Sequence, residues 1–145
     1  METNERKRGR RHPPRILVVE DDEDYRVMLR HRLAPVAAVR GWEILFMPGL
    51  AEGEIALRHA PIDLLVSDYH LTDGLGTVLT RAAQTNAANP HRVILSATPS
   101  RVESAWADEP DIVDEVWSKT WDPADIVAHI ETRMEAIVGP WAVSP

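Results

Sequence analysis

The sequence predicts an open, doubly wound α/β domain built on a parallel sheet, and three observations carry that expectation. Five short apolar runs rich in Ile, Leu and Val punctuate the chain at Ile16–Val19, Ile44–Met47, Ile62–Val66, Val93–Leu95 and, more weakly, Val116-Trp117. Continuous runs of this length suit strands buried on both faces. Between them lie segments with helical spacing, and strand and helix alternating five times is the pattern of a doubly wound sheet with right-handed crossovers. Finally, charged and hydroxyl residues gather at the carboxyl ends of the runs, where open α/β sheets bind their ligands.

The elements follow in order. The first strand, Ile16–Val19, leads into a helix carried by Tyr25, Met28, Leu29 and Leu33. After the second and third strands, Val78, Leu79, Ala82 and Ala83 recur on one helical face. The last helix has the clearest period, with Ile126, Val127, Ile130, Met134 and Ile137 at steps of three and four residues. Asp122 is its candidate cap and Pro123 suits the first helical position.

With 145 residues, 44% hydrophobic and 27% charged, the chain fits one globular domain rather than two. A domain of this size buries about 70% of its unfolded surface and needs no covalent staple. The absence of cysteine excludes disulfides, thiol catalysis and cysteine-ligated metals, and fits a cytoplasmic location. The net charge of −7 is unevenly spread, since residues 1–15 carry +4 and the remainder −11. So acidic a body is not expected to bind nucleic acid or an anionic membrane. No apolar run reaches the length of a membrane span. Residues 1–13 are expected to be a basic disordered tail, residues 14–139 the domain, and residues 140–145 a C-terminal tail.

The first strand ends in Glu20-Asp21-Asp22-Glu23-Asp24. A helix N-terminus accounts for Asp22, Glu23 and Asp24, because carboxylates favour the positive end of the helix dipole. It accounts less well for Glu20 and Asp21, which sit at the strand end itself. The third run leads to another carboxylate, Asp68, the fourth to Ser96 and small Ala97, and the fifth to Lys119. Three carboxylates brought together repel, and a hard divalent cation with oxygen ligands, magnesium first, would relieve them. Lys119 stands out because only Lys7 and Lys119 are lysines among 16 lysines and arginines. A compact ammonium suits a single phosphoryl oxygen or carboxylate better than a planar guanidinium does.

These residues together resemble the receiver domain of bacterial two-component response regulators. Arg15-Ile-Leu-Val-Val-Glu-Asp-Asp looks like that family's first strand and acidic pair, placing the pair on Glu20 and Asp21. The stretch from Asp68 to Gly76 resembles the phosphoacceptor loop, Ser96-Ala97 the switch hydroxyl and its small neighbour, and Lys119 the fifth-strand lysine. The resemblance covers about residues 14–139. It implies a flavodoxin-like five-stranded parallel sheet of order 2-1-3-4-5 flanked by five helices, and a phosphoryl group accepted on Asp68. It also implies Mg2+ held by Asp21, Asp68 and the backbone carbonyl of His70, with Glu20 acting through water, and Lys119 and Ser96 contacting the phosphoryl oxygens. Phosphate would come from a histidine kinase or phosphotransfer protein, and output would be contact with a downstream protein, since only Gly139–Pro145 follow the last helix. Such a protein catalyses its own phosphorylation and dephosphorylation and is not otherwise an enzyme.

The sequence departs from the family at several places. Thr72 stands where proline is usual and Leu75 where aspartate is frequent; neither is expected to touch the chemistry. Thr120 replaces the proline that typically follows the lysine through a cis bond, and Val116 replaces an aromatic residue. A cis bond before threonine is unfavourable by about 3–4 kcal/mol, so a trans bond is expected, with Trp121 displaced and the lysine ammonium drawn away from Asp68. His70 either tunes hydrolysis or is simply an exposed loop histidine. Trp106, Trp117 and Trp121 lie where a receiver builds its output surface. Two other functions compete: a degenerate receiver that binds partners without phosphorylation, and a haloacid-dehalogenase-type phosphatase. The latter needs an acid two residues after the nucleophile, where this chain has His70.

Overall fold

The computed structural model describes residues 12–139. The chain runs β1 (Arg15–Val19), α1 (Glu23–Arg40), β2 (Glu43–Met47), α2 (Leu50–His59) and β3 (Leu64–Asp68), then a small hairpin of β4 (His70–Leu71) and β5 (Gly74–Leu75). It continues through α3 (Thr77–Ala82), a 3-10 turn (Ala83–Thr85), β6 (His91–Ser96), α4 (Pro99–Trp106), β7 (Glu115–Ser118) and α5 (Pro123–Val138). The main sheet has the order β2-β1-β3-β6-β7 and is parallel throughout. Counting only its five strands, this is the order 2-1-3-4-5. The expected basic tail falls chiefly on residues outside those described, as do residues 140–145. No helix among the described residues is long and apolar enough to cross a membrane.

The strand period of two distributes one run of side chains between two cores. Ile16 and Val18 of β1, with Leu64 and Val66 of β3, join Leu29 and Leu33 of α1 and Ile126, Ile130 and Met134 of α5. Leu17 and Val19, with Leu65, face the opposite way onto Leu50 and Leu57 of α2 and Leu79 of α3. Successive residues Ile16–Val19 of β1 and Leu64–Val66 of β3 are therefore apolar on both faces, which is why these runs read as continuous.

Local signals begin and end the long helices. Asp22 caps α1 by accepting the Tyr25 N–H at 3.2 Å, and Gly41 ends it at φ 72°, a left-handed conformation open to glycine. Pro35 lies inside α1 and supplies no amide donor, yet the helix continues past it to Arg40, with Val36 and Ala37 packed against the core. Asp122 caps α5 by accepting the Ala124 N–H at 2.8 Å, with Pro123 at the first turn.

The hairpin after β3 is an element that the apolar periodicity does not reveal. Its return leg brings Gly76 so close to β3 that an added Cβ would stand 2.1 Å from the Asp68 carbonyl oxygen and 2.7 Å from Ser67 Oγ. The Gly76 N–H meanwhile donates to the Tyr69 carbonyl at 2.7 Å. Gly76→Ala is expected to destabilise the domain by about 2–3 kcal/mol, within the range for overpacking a filled site. Urea denaturation measures it, and a loss below about 0.5 kcal/mol would show that the loop relaxes freely.

Candidate functional site

The carboxyl edge of β1, β3 and β7 gathers the polar residues. Asp68 closes β3, Glu20 and Asp21 follow β1, and Lys119 follows β7 directly. Oxygens of Glu20, Asp21 and Asp68 lie within 4.8 Å of one another. Glu20 is fully buried, Asp68 nearly so at 7% exposure, and Asp21 half-buried. Lys119 Nζ donates to Glu20 Oε1 at 2.8 Å and to Asp68 Oδ2 at 2.9 Å, and stands 4.9 Å from the centre of the Tyr25 ring. The Glu20 backbone is held as firmly, its N–H donating to Met47 and its carbonyl accepting from Arg26.

Burial dominates the electrostatics. It pushes the Glu20 carboxyl from 4.5 up to about 7, opposed by the Lys119 hydrogen bond and reinforced by the Asp68 charge. Burial also raises Asp68, against the pull of Lys119. For Lys119 burial works the other way, yet its hydrogen bonds to Glu20 and Asp68 prevail and the ammonium is held above its usual value.

Ser96, at the end of β6, is 4% exposed, and its Oγ accepts the Thr98 N–H at 2.9 Å. The Lys119 N–H donates to the Ser96 carbonyl at 2.9 Å, so Ser96 and the lysine are adjacent through the backbone. The His70 side chain is exposed and meets Tyr69 edge-on at 4.8 Å.

Two expectations require correction. No cis peptide bond occurs among the described residues, so Lys119–Thr120 is trans as expected, but the ammonium is not drawn away from Asp68. The position of Lys119 is set upstream, by β7 pairing with β6 and by its own amide on Ser96, so the direction of the chain beyond it has no leverage on the side chain. The loop that follows is built on Ser118, whose Oγ accepts the Thr120 N–H at 3.2 Å and meets Thr120 Oγ1 at 2.7 Å. The second correction concerns Thr72, which does touch the site: its N–H and its hydroxyl both donate to Asp21 Oδ2, at 2.8 and 2.7 Å. Tyr25, Arg26 and Thr72 thus border the site without having been singled out for it. Only Thr72 carried a signal in the sequence, as a departure from the family pattern.

The donor set is hard oxygen, and Glu20 Oε2 is buried with no hydrogen-bond partner among the described residues. An orphaned buried carboxylate oxygen beside two further carboxylates fits a small divalent cation.

The structure of the non-phosphorylated HemR receiver domain from Leptospira biflexa is 24% identical, with 91% of this chain and 98% of that one covered at a TM-score of 0.71. A response regulator receiver domain from Methanospirillum hungatei is 21% identical over 86% and 95%, at a TM-score of 0.72. The chain has the receiver-domain fold. A signal receiver domain from a Pseudomonas fluorescens HD domain-containing protein superposes equally well, at 22% identity over 86% and 89% and a TM-score of 0.71. No protein-family model and no curated protein matches the sequence.

Between about pH 4.5 and 7 the folded state keeps a proton that the unfolded chain has released, so Glu20 favours folding most at low pH and the benefit is lost as pH rises through about 7. Glu20→Gln is expected to flatten this part of the stability profile, by no more than about 3–4 kcal/mol at 1.36 kcal/mol per unit. Chemical denaturation in chelator across that range measures it. Identical slopes for parent and variant would show that Glu20 titrates as an exposed carboxylate does.

Proposed function

We propose that this domain is a phosphoacceptor signalling module of a two-component relay, taking a phosphoryl group on Asp68 from a histidine kinase or phosphotransfer protein. The observation that carries the reading is the Lys119 ammonium hydrogen-bonded to a strand-end aspartate, with Glu20 and Asp21 converging on the same point.

An aspartate attacks a phosphorylated donor well only when the charge on the transferring group is neutralised and the donor is held in line. Lys119 engages Asp68 Oδ2, leaving Oδ1 to form the new bond to phosphorus as the bond to the donor nitrogen or oxygen breaks. The product is an acyl phosphate on Asp68. Lys119 then turns from bridging two carboxylates to contacting a phosphoryl oxygen. Asp21, Asp68 and the His70 carbonyl would hold Mg2+, with Glu20 acting through water; the ion would supply charge neutralisation for the incoming phosphoryl oxygens. The hydroxyl of Ser96 would exchange its contact with the Thr98 amide for one with the phosphoryl group. That movement would bias the surface formed by β6, α4, β7 and α5, which the downstream protein would read.

Intact mass spectrometry with acetyl phosphate and Mg2+ tests the reading: one labile addition of a phosphoryl group is expected on the parent and none on Asp68→Asn. Undiminished labelling of that variant would move the acceptor elsewhere, and no labelling of the parent would favour a partner-binding module that works without phosphate. Asp21→Ala is expected to remove the Mg2+-dependent change in tryptophan fluorescence or amide chemical shifts. If that variant binds Mg2+ as the parent does, the ion sits at another site.

A further inference from the structure

We infer that Thr72 is a positioning residue for the cation site: it clamps the Asp21 carboxylate through two donors on one oxygen and thereby sets the affinity for a divalent cation. This rests on the metal reading given above and deepens it.

Asp21 is the most exposed of the three clustered carboxylates, and a half-buried aspartate on a loop would otherwise sample several rotamers. The Thr72 N–H at 2.8 Å and Oγ1 at 2.7 Å both point to Oδ2, so that oxygen is engaged and the carboxylate plane is fixed. Oδ1 is the oxygen that Thr72 leaves for a cation. The clamp comes from a segment 51 residues away in the chain and is the direct polar link between the β1 loop and the hairpin.

A donor positions its partner only if it is itself held, and Thr72 is held on both sides. Leu71 before it is buried in the α2 and α3 core. Asp73 after it accepts the Leu50 N–H at 3.1 Å on each oxygen, and the Ala51 N–H at 3.4 Å, at the start of α2. Those amides hold the Asp73 carboxyl below its usual value, so it stays an anion suited to that helix end. The order of contact is α2 to Asp73, to Thr72, to Asp21. Thr72 itself is exposed, so deleting its hydroxyl leaves no cavity in the core, and a role in packing does not account for the contact. Partners that orient a ligating carboxylate are worth about 10–100-fold in metal affinity. A proline at this position would provide neither the N–H nor the hydroxyl.

The test is a Mg2+ titration at fixed pH and ionic strength, read by calorimetry and by amide chemical shifts, on the parent, Thr72→Ser, Thr72→Val and Thr72→Pro. Thr72→Ser keeps both donors and is expected to bind within two-fold of the parent. Thr72→Val keeps the N–H alone and is expected to bind about 10-fold more weakly, with Thr72→Pro weaker still. Thr72→Val tests the hydroxyl whether or not the proline variant folds. If Thr72→Val binds as the parent does, or Thr72→Ser loses as much as Thr72→Val, the positioning role is overturned while the metal site stands. If the parent binds no Mg2+, the metal reading fails and this role with it.

Discussion

One ammonium group holds the carboxyl edge of the sheet together. Lys119 Nζ bridges Glu20, which is fully buried, and Asp68, which is nearly so, and among the described residues it is the basic group paired with their carboxylates. Buried carboxylates are costly to ionise without a partner, and breaking a buried pair typically costs about 3–5 kcal/mol because an uncompensated charge is left behind. Exposed pairs such as Arg81–Glu109 contribute about 0–1 kcal/mol and decide little. The bridge is also incomplete, since a single positive charge faces three carboxylates and Glu20 Oε2 goes unpaired. Stability and chemistry meet here: the three carboxylates outnumber the one ammonium, and a divalent cation would supply the positive charge that is short.

The backbone around Asp68 is no less constrained. Its carbonyl is crowded by Gly76, Ser67 Oγ donates to it at 3.0 Å, and the Tyr69 N–H extends the pairing with β6 by donating to Leu95. The hairpin that follows is pinned at its tip by Asp73 on α2 and at its side by Thr72 on Asp21. Rigidity of this kind would serve the proposed transfer, because a nucleophile must be held in line with the bond that breaks.

Aromatic contacts also connect the loop after Asp68 to α4. Trp106 at the end of α4 donates through Nε1 to the Tyr69 hydroxyl at 3.4 Å, under the Arg81 guanidinium at 5.9 Å. Tyr69 is the neighbour of Asp68 in the chain, so α4 touches the residue beside the candidate nucleophile. Val116, where an aromatic residue is usual in the family resembled, instead lines an open groove of about 330 Å³ with Trp106, Pro110 and Glu103. Beyond β7, Trp121 packs on His129 of α5 at 4.5 Å, and the Ser118 hydroxyl shapes the turn.

The sequence by itself determined the alternation of strands and helices, the cap at Asp122, and the strand-end positions of Glu20, Asp68, Ser96 and Lys119. Each is a local matter: apolar runs, helical periods and capping residues report on neighbours within a few positions. The small hairpin was less legible, because its two-residue strands are too short to show a period and its form depends on Gly76 pressing against the Asp68 carbonyl. The reach of Lys119 does not follow from the bond after it, since pairing of β7 with β6 is what aims the ammonium at Asp68. Thr72 was visible as a departure, yet nothing local tied it to an aspartate 51 residues earlier. Only the tertiary structure decided that contact, because hydrogen bonding follows distance in space, and the crossover that returns β3 to the side of β1 is what makes the two loops neighbours.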